Sequence, residues 1–491
     1  MTLRARLSIT LALLGLALAA AWARRWVGLV RGVALLGRDY REVDLGQKLG
    51  FPVGFNHLTV ATLPAEERYP PLVAAAKVLV VAALSARVGG GDTGERPATA
   101  ASSPLRSAYR WLGTPALADP SWLGDEAMGW LRLAGPNAGW ITRGGEGVVL
   151  DYRALLAGVP SAAGRFLTPC RARFTTTGTG LLLSGIDLLV DGEAVRVGPG
   201  DGPAWHLAKL HLQSADLFVH EVVSHFLWTH CHAEHVILAS AKLPAGHPVR
   251  ALLAPHFAFT LVANENSGRV LLGEVGVFDR LFSAGWAGTR ALLSRGAAAW
   301  RFSRMVPRLD AEDRGLGDLP VYPCRDDAAL LWDALATRVQ RAKLPLDDAT
   351  RAWAADLRRR FGADLPEVGD EGALALVVTA CLFTTVRHTL VNAGQYEHFG
   401  YPPHWPSMLC RPFPGDLSLV TDDYVRASLP PPSVQLDAAR ATYAFSIQFN
   451  RLGPPGDDLR AVQAEIERRN ATRWRPYRVA EPGRVSNSVN A

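Results

Sequence analysis

The sequence predicts a mainly α-helical fold with one small β-sheet subdomain, and three observations predict it. Helical patterns of apolar residues dominate the chain from Trp205 onward. A single clear hairpin signal, Asp191-Gly192 between β-branched and leucine runs, marks a sheet at about residues 173–198. The 491 residues are 48% apolar and 20% charged, which suits a large buried core and excludes a disordered chain.

The elements follow in chain order. Arg4 and Arg6 precede the apolar run Leu7 to Ala23, which ends in Ala21-Trp22-Ala23 before Arg24-Arg25. A basic start, an apolar middle and small residues at the end read as a secretory signal, or as an uncleaved membrane anchor. Residues 1–25 are therefore assigned to export, with a periplasmic, secreted or membrane-anchored product, and residues 26–491 to one catalytic domain. Gly89 to Pro104, rich in Gly, Ser, Thr and Pro, reads as a loop. Residues 205–243 read as one long helix or two abutting ones stopped by Pro244. Further helices are expected at about 251–263, from Asp326 to about Lys343, and from about Asp457 to Arg469. The stretch 373–393 is apolar almost all round, so it belongs in the core, and Gly394 is placed to end it in a left-handed cap. Arg387, His388 and Asn392 near its end argue against a membrane span.

Composition narrows the function. The formal charge of +6 suits anionic substrates or contact with a membrane surface. No Lys/Arg tract interleaves with aromatics, so nucleic acid is not expected as a partner. The five cysteines lack CxxC spacing, which disfavours a disulfide framework and a four-cysteine zinc site.

Nine of the thirteen histidines lie between His206 and His256. His220-Glu221 is followed by His225, one residue too far for the HExxH arrangement of a zinc protease. His225 and His230 are five apart, which in a regular α-helix leaves them about 140° apart. A π-type distortion returns i and i+5 to one face, so one is predicted between these two residues. His388 and Asn392 are four apart and share a face of the apolar helix. Buried polar groups there need partners, and a metal shared by the two pairs accounts for both. Three imidazoles with oxygen donors suit a divalent first-row transition metal; redox chemistry at open positions favours iron, and manganese is compatible with the same donors. A metal-dependent hydrolase using these histidines is the reading that predicts zinc and a bound water instead.

The ordered motifs resemble the lipoxygenase family. They are Trp205-x-x-Ala208-Lys209 with Asp216, the block from His220 to His230, Leu243-Pro244-Ala-Gly-His247-Pro248, and Pro255-His256 with Thr260. Tyr322-Pro-Cys-Arg325-Asp326-Asp327 follows, then His388-x-x-x-Asn392-Ala-Gly394-Gln395-Tyr396, and last the tail from Tyr477 to Ala491. The resemblance implies a helical catalytic domain of bacterial type, without the N-terminal β-barrel of plant and animal members, acting as a monomer. It implies one non-haem iron held by His225, His230, His388, Asn392 and the terminal carboxylate of Ala491, where the family almost always ends in Ile. It implies O2 addition to a linoleate- or arachidonate-like fatty acid after Fe(III)-OH takes a bis-allylic hydrogen, with no side-chain acid or base. Gln395 and Glu221 match positions that steady the metal shell. Phe226, Cys231, Gly268, Arg269 and Leu272 match the substrate pocket, and Gly268 matches a position where glycine goes with R-configured hydroperoxides. The unusual Ala491 and Cys231 also suit a lipid-binding relative with weak catalysis.

Overall fold

The computed structural model describes residues 40–64, 68, 101, 103–392, 394–446, 457–473 and 489. The segment assigned to export and most of the Gly89–Pro104 loop lie outside them. Ser103 and Pro104 already belong to a helix, Ser103–Leu112.

Strand β1 (Glu42–Asp44) runs into the short helix α1 (Leu45–Leu49) and pairs antiparallel with β2 (Leu58–Val60). Asp44 caps α1 by accepting from the Gln47 N–H. Helix α2 (Ser103–Leu112) precedes α3 (Asp125–Ala134). The sheet then forms as five antiparallel strands in sequence order: β3 (Ile141–Gly144), β4 (Gly147–Asp151), β5 (Cys170–Thr177), β6 (Gly180–Val190) and β7 (Glu193–Val197). It is larger than the segment 173–198 alone indicates. Asp191 and Gly192 both have positive φ, 49° and 89°, the conformation of the tight turn their sequence calls for. Helix α3 lies across β6, and Gly129 allows it: a Cβ there would sit 1.8 Å from the Leu181 carbonyl oxygen.

One continuous helical rod follows, made of α4 (Pro203–Val219), a π-helical stretch (His220–Cys231) and α5 (His232–Ala241). This is the long helix expected over 205–243, with the expected distortion inside it. All twelve residues of the π-helix are buried. Helix α6 (Pro248–Leu253) and helix α7 (Thr260–Leu272) replace the single helix expected at 251–263. The break has a local cause: Pro255 lacks an N–H, and Phe259 adopts a left-handed φ of 62°. Helix α8 (Gly285–Ala298) packs against the π-helix, where Trp228 Nε1 donates to the Gly296 carbonyl at 3.1 Å.

Helix α9 (Pro323–Arg341) starts three residues before the expected Asp326, with proline at its first position. Helix α10 (Asp348–Phe361) flanks α5, and α11 (Glu371–Asn392) crosses both α9 and the π-helix. Helix α11 is the apolar segment read from the sequence, and sixteen of its residues are buried. It is long and apolar enough to cross a membrane, but 83% of its most apolar window is enclosed by protein, as befits a core helix. Gly394 does not end it in a left-handed cap: its φ is −101°, and it heads the short helix α12 (Gln395–Phe399) by accepting from the His398 N–H. Helices α13 (Pro432–Phe445) and α14 (Asp457–Thr472) complete a mainly α architecture. No disulfide joins the five cysteines.

Candidate metal centre

Two core elements supply the centre. The π-helix carries His225 and His230, and α11 crosses it with His388 and Asn392. One extra residue per turn brings the i and i+5 side chains together, as a regular helix would not. The imidazole centroids of His225 and His230 are 5.1 Å apart, and that of His388 lies 5.2 Å from the first and 4.8 Å from the second. One ring nitrogen from each of the three lies within 4.8 Å of the others, and all three side chains are buried. The Nε2 atoms of His225 and His388 face each other at 3.3 Å.

Burial pushes the His225 imidazole down to about 4, and burial together with the two neighbouring rings holds His388 well below the usual range. Neutral imidazoles are the state that ligates metal.

The outward nitrogens of His225 and His230 have partners, whereas Nδ1 of His388 is buried with none among the described residues. His225 Nδ1 stands 3.1 Å from Glu221 Oε2, and Gln395 Nε2 donates to the other oxygen of the same carboxyl. His230 Nδ1 donates to Asn264 Oδ1 at 2.9 Å, while Asn264 Nδ2 donates back to the His230 carbonyl at 2.9 Å. Each contact turns the opposite ring nitrogen inward. Asn264 is itself fixed by Glu234, whose two oxygens also meet His57 Nε2 at 3.2 Å and Thr59 Oγ1 at 2.6 Å. Burial raises the Glu234 carboxyl, but its contacts with His57, Thr59 and Asn264 outweigh that and keep it below the usual range. Glu221 is different: burial pushes its carboxyl up to about 8. Asn392 donates from Nδ2 to the Phe445 carbonyl at 3.1 Å, and its Oδ1 is buried with no protein partner among the described residues. An oxygen donor without a partner, on the helix face that carries His388, fits a fourth metal ligand.

A second grouping, His220, Glu221 and His225, also brings three donor atoms within reach of one another. It shares His225 with the first. The His220 ring packs 4.9 Å from Phe399 and 5.9 Å from His225.

The other sequence-derived residues are placed as follows. Gln395 reaches Glu221 rather than the side chain of Asn392. The Phe226 ring stacks on His230 at 6.2 Å, and Cys231 and Leu272 are buried. Gly268 lies inside α7, one turn beyond Asn264, facing Leu49 of α1, whose methyls would be 3.2 Å from an added Cβ. Arg269 is on the exposed face of α7. Ala491 lies outside the described residues; Val489, two residues before it, is fully buried. The sequence reading missed Asn264, Glu234 and His57. A polar pair at 230 and 234, one helical turn apart in an apolar rod, was the available signal.

The family model "Lipoxygenase" matches residues 199–341, which include the π-helix and Asn264. The chain is 30% identical over 336 residues to the epidermal-type polyunsaturated fatty acid (12S)/(13S)-lipoxygenase of Rattus norvegicus, covering 59% of this chain and 50% of that one. It is 30% identical over 333 residues to the polyunsaturated fatty acid lipoxygenase ALOX15 of Sus scrofa, with the same coverage. The chain thus spans about half the length of the curated relatives it matches. Among solved structures, a calcium-dependent 11R-lipoxygenase superposes with a TM-score of 0.79 at 21% identity, covering 94% of this chain and 80% of that one. A fungal lipoxygenase from Fusarium graminearum gives 0.70 at 18%, covering 96% and 88%. Those likenesses establish the fold, and the family model matches the segment that carries His225 and His230. In sequence over residues 199–341, and in fold over most of its length, the chain is similar to lipoxygenases.

Proposed function

We propose that this centre holds one non-haem iron and that the chain dioxygenates polyunsaturated fatty acids to hydroperoxides. The observation that carries the reading is the convergence of three buried imidazoles across the π-helix and α11, beside a buried amide oxygen with no other partner among the described residues. Four such donors leave coordination positions open, which suits iron in redox work better than a closed structural zinc. Manganese would fit the same donors. The carboxylate of Ala491 is proposed as the fifth ligand, and the burial of Val489 brings the tail into the core close to it in sequence.

Bound iron supplies the one-electron oxidation that a weak bis-allylic C–H bond requires. The protein's part is positional. Glu221 and Asn264 hold the imidazoles of His225 and His230 with their Nδ1 protons facing outward. A divalent cation beside them favours that proton placement and the anionic form of Glu221. Phe226 and Cys231, each following a histidine ligand, contribute apolar surface that keeps water from the centre. The matched relatives are polyunsaturated fatty acid lipoxygenases and a related structure was solved in complex with arachidonate, which supports linoleate- or arachidonate-like chains as substrates.

The test is metal analysis of the purified full chain, paired with oxygen-electrode and conjugated-diene assays on linoleate and arachidonate. Stoichiometric iron with oxygen uptake is expected. Zinc without uptake would point to a hydrolase, and iron without uptake to a lipid-binding relative.

Asn264→Ala should weaken iron binding about 10- to 100-fold, the usual cost of losing a group that orients a histidine ligand. Competition against a chelator, with folding checked by circular dichroism, reads this directly. Iron affinity unchanged by the substitution would remove Asn264 from the site.

A further inference from the structure

The π-helix and α11 enclose more than the histidines. On a flank away from them, Ser224 and Trp228 of the π-helix and Phe383, Arg387 and Leu390 of α11 line a separate half-buried cleft. Adjacent positions on an α-helix point about 100° apart, so Arg387 diverges from His388 beside it.

Four guanidiniums line this cleft, and that of Arg325 is already paired with Asp326 at 2.7 Å. Trp140 and Trp228 stack with centroids 4.9 Å apart, and the Arg304 guanidinium lies 5.8 and 5.5 Å from their two rings. Arg387 approaches the Trp228 ring at 5.3 Å and donates to the Arg304 main-chain carbonyl. Arg314 lies over Tyr322 at 5.6 Å. Against these stands Asp310, which pairs with Arg304 at 3.0 Å and with Arg314 at 2.7 Å. Among the described residues no carboxylate comes within ion-pair distance of Arg387. Two like charges therefore share one indole with a single carboxylate already engaged by two partners. In a medium less polar than water such an excess is unfavourable, and an anion placed between them relieves it. Guanidinium forks also suit a planar carboxylate better than a point charge would.

We propose that this cleft is a second ligand site, separate from the metal centre, that takes a small organic carboxylate with a short apolar tail. Its charged end lies between Arg304 and Arg387, and its tail lies against Phe383 and Leu390. This inference is independent of the reading of the histidine centre, since none of the residues that bind the carboxylate is a proposed metal ligand.

The experiment titrates the full-length protein with hexanoate, its neutral isostere hexanamide, and inorganic phosphate. Binding is followed by tryptophan fluorescence, which Trp140 and Trp228 report, and by thermal shift. Hexanoate should bind saturably at one site, and Arg304→Gln and Arg387→Gln should each weaken it tenfold or more. Hexanamide should not bind, and phosphate should bind more weakly than hexanoate because it leaves the apolar wall uncovered. Hexanamide binding as well as hexanoate, or binding unchanged by Arg304→Gln, would overturn the proposal. Phosphate binding as tightly as hexanoate would overturn the assignment to a carboxylate with a tail. Circular dichroism and iron content matching the parent protein establish that each variant is folded, and Arg304→Gln alone suffices if Arg387→Gln is not.

Discussion

His225→Ala and His388→Ala should each lose bound iron and oxygen uptake together. Removing an outer partner of a ligand costs about 10- to 100-fold in metal affinity, and removing a ligand costs more than the upper end of that range. In His225→Ala the loss is compounded, because Glu221 and Gln395 lose the ring they orient. In His388→Ala one helix of the crossing pair keeps only its amide donor. His220→Ala serves as the contrasting variant. His220 belongs to the second grouping of donors and not to the first, so its loss should leave iron content near that of the parent. Metal analysis of the three variants, with circular dichroism to establish folding, distinguishes the groupings. Full iron and turnover in His388→Ala, or iron lost in His220→Ala but kept in His388→Ala, would place the metal elsewhere.

The parts of this centre that are readable in the sequence are those fixed by spacing along one element. Two histidines spaced i and i+5, as His225 and His230 are, cannot serve one ion on a regular helix, so the distortion is deducible from the spacing alone, and the π-helix spans both residues. The i, i+4 spacing of His388 and Asn392 puts them on one face whatever α11 packs against. Asp191-Gly192 sets the β6–β7 turn by local conformational preference alone. The parts that are not readable depend on contacts between distant segments. His57 meets Glu234 across 177 positions, and nothing local to either residue reveals the other. Thr59 and Asn264 join them for the same reason, so the link from the β1–β2 hairpin through Glu234 and Asn264 to His230 emerges only in three dimensions. The break between α6 and α7 lies between these cases. Pro255 is visible, but the left-handed turn at Phe259 is not, because a bulky residue rarely adopts it without tertiary support. Gly394 illustrates the converse: its type permits a left-handed cap, and the chain turns into α12 instead.

Asp216→Ala should destabilise the fold severely. Asp216 is fully buried in α4 and pairs with Arg132, also buried, at 2.5 Å. Tyr152 donates its hydroxyl to Asp216 Oδ1 at 2.7 Å, and Asn137 Nδ2 reaches the same oxygen at 3.1 Å and the Asp216 main-chain carbonyl at 2.7 Å. Truncation leaves a buried guanidinium whose remaining side-chain acceptor, among the described residues, is Gln213 Oε1 at 2.9 Å. Stranding one member of a buried ion pair costs about 3–5 kcal/mol, far more than an average core substitution. The effect should extend to the metal centre through a short path. Asn137 also accepts from Ser224 Oγ at 2.7 Å, and Ser224 is the residue before His225. Losing Asp216 therefore loosens the residue that holds the π-helix against the start of the sheet, and iron affinity should fall along with stability. Replacing both partners, Arg132→Met with Asp216→Leu, removes the stranded charge and should recover most of the lost stability. Denaturation midpoints of the single and double variants, read with iron held in excess, test this. A loss below about 1 kcal/mol in Asp216→Ala would be that of an exposed ion pair, and a double variant no more stable than the single would show that the cost lies in packing rather than in charge.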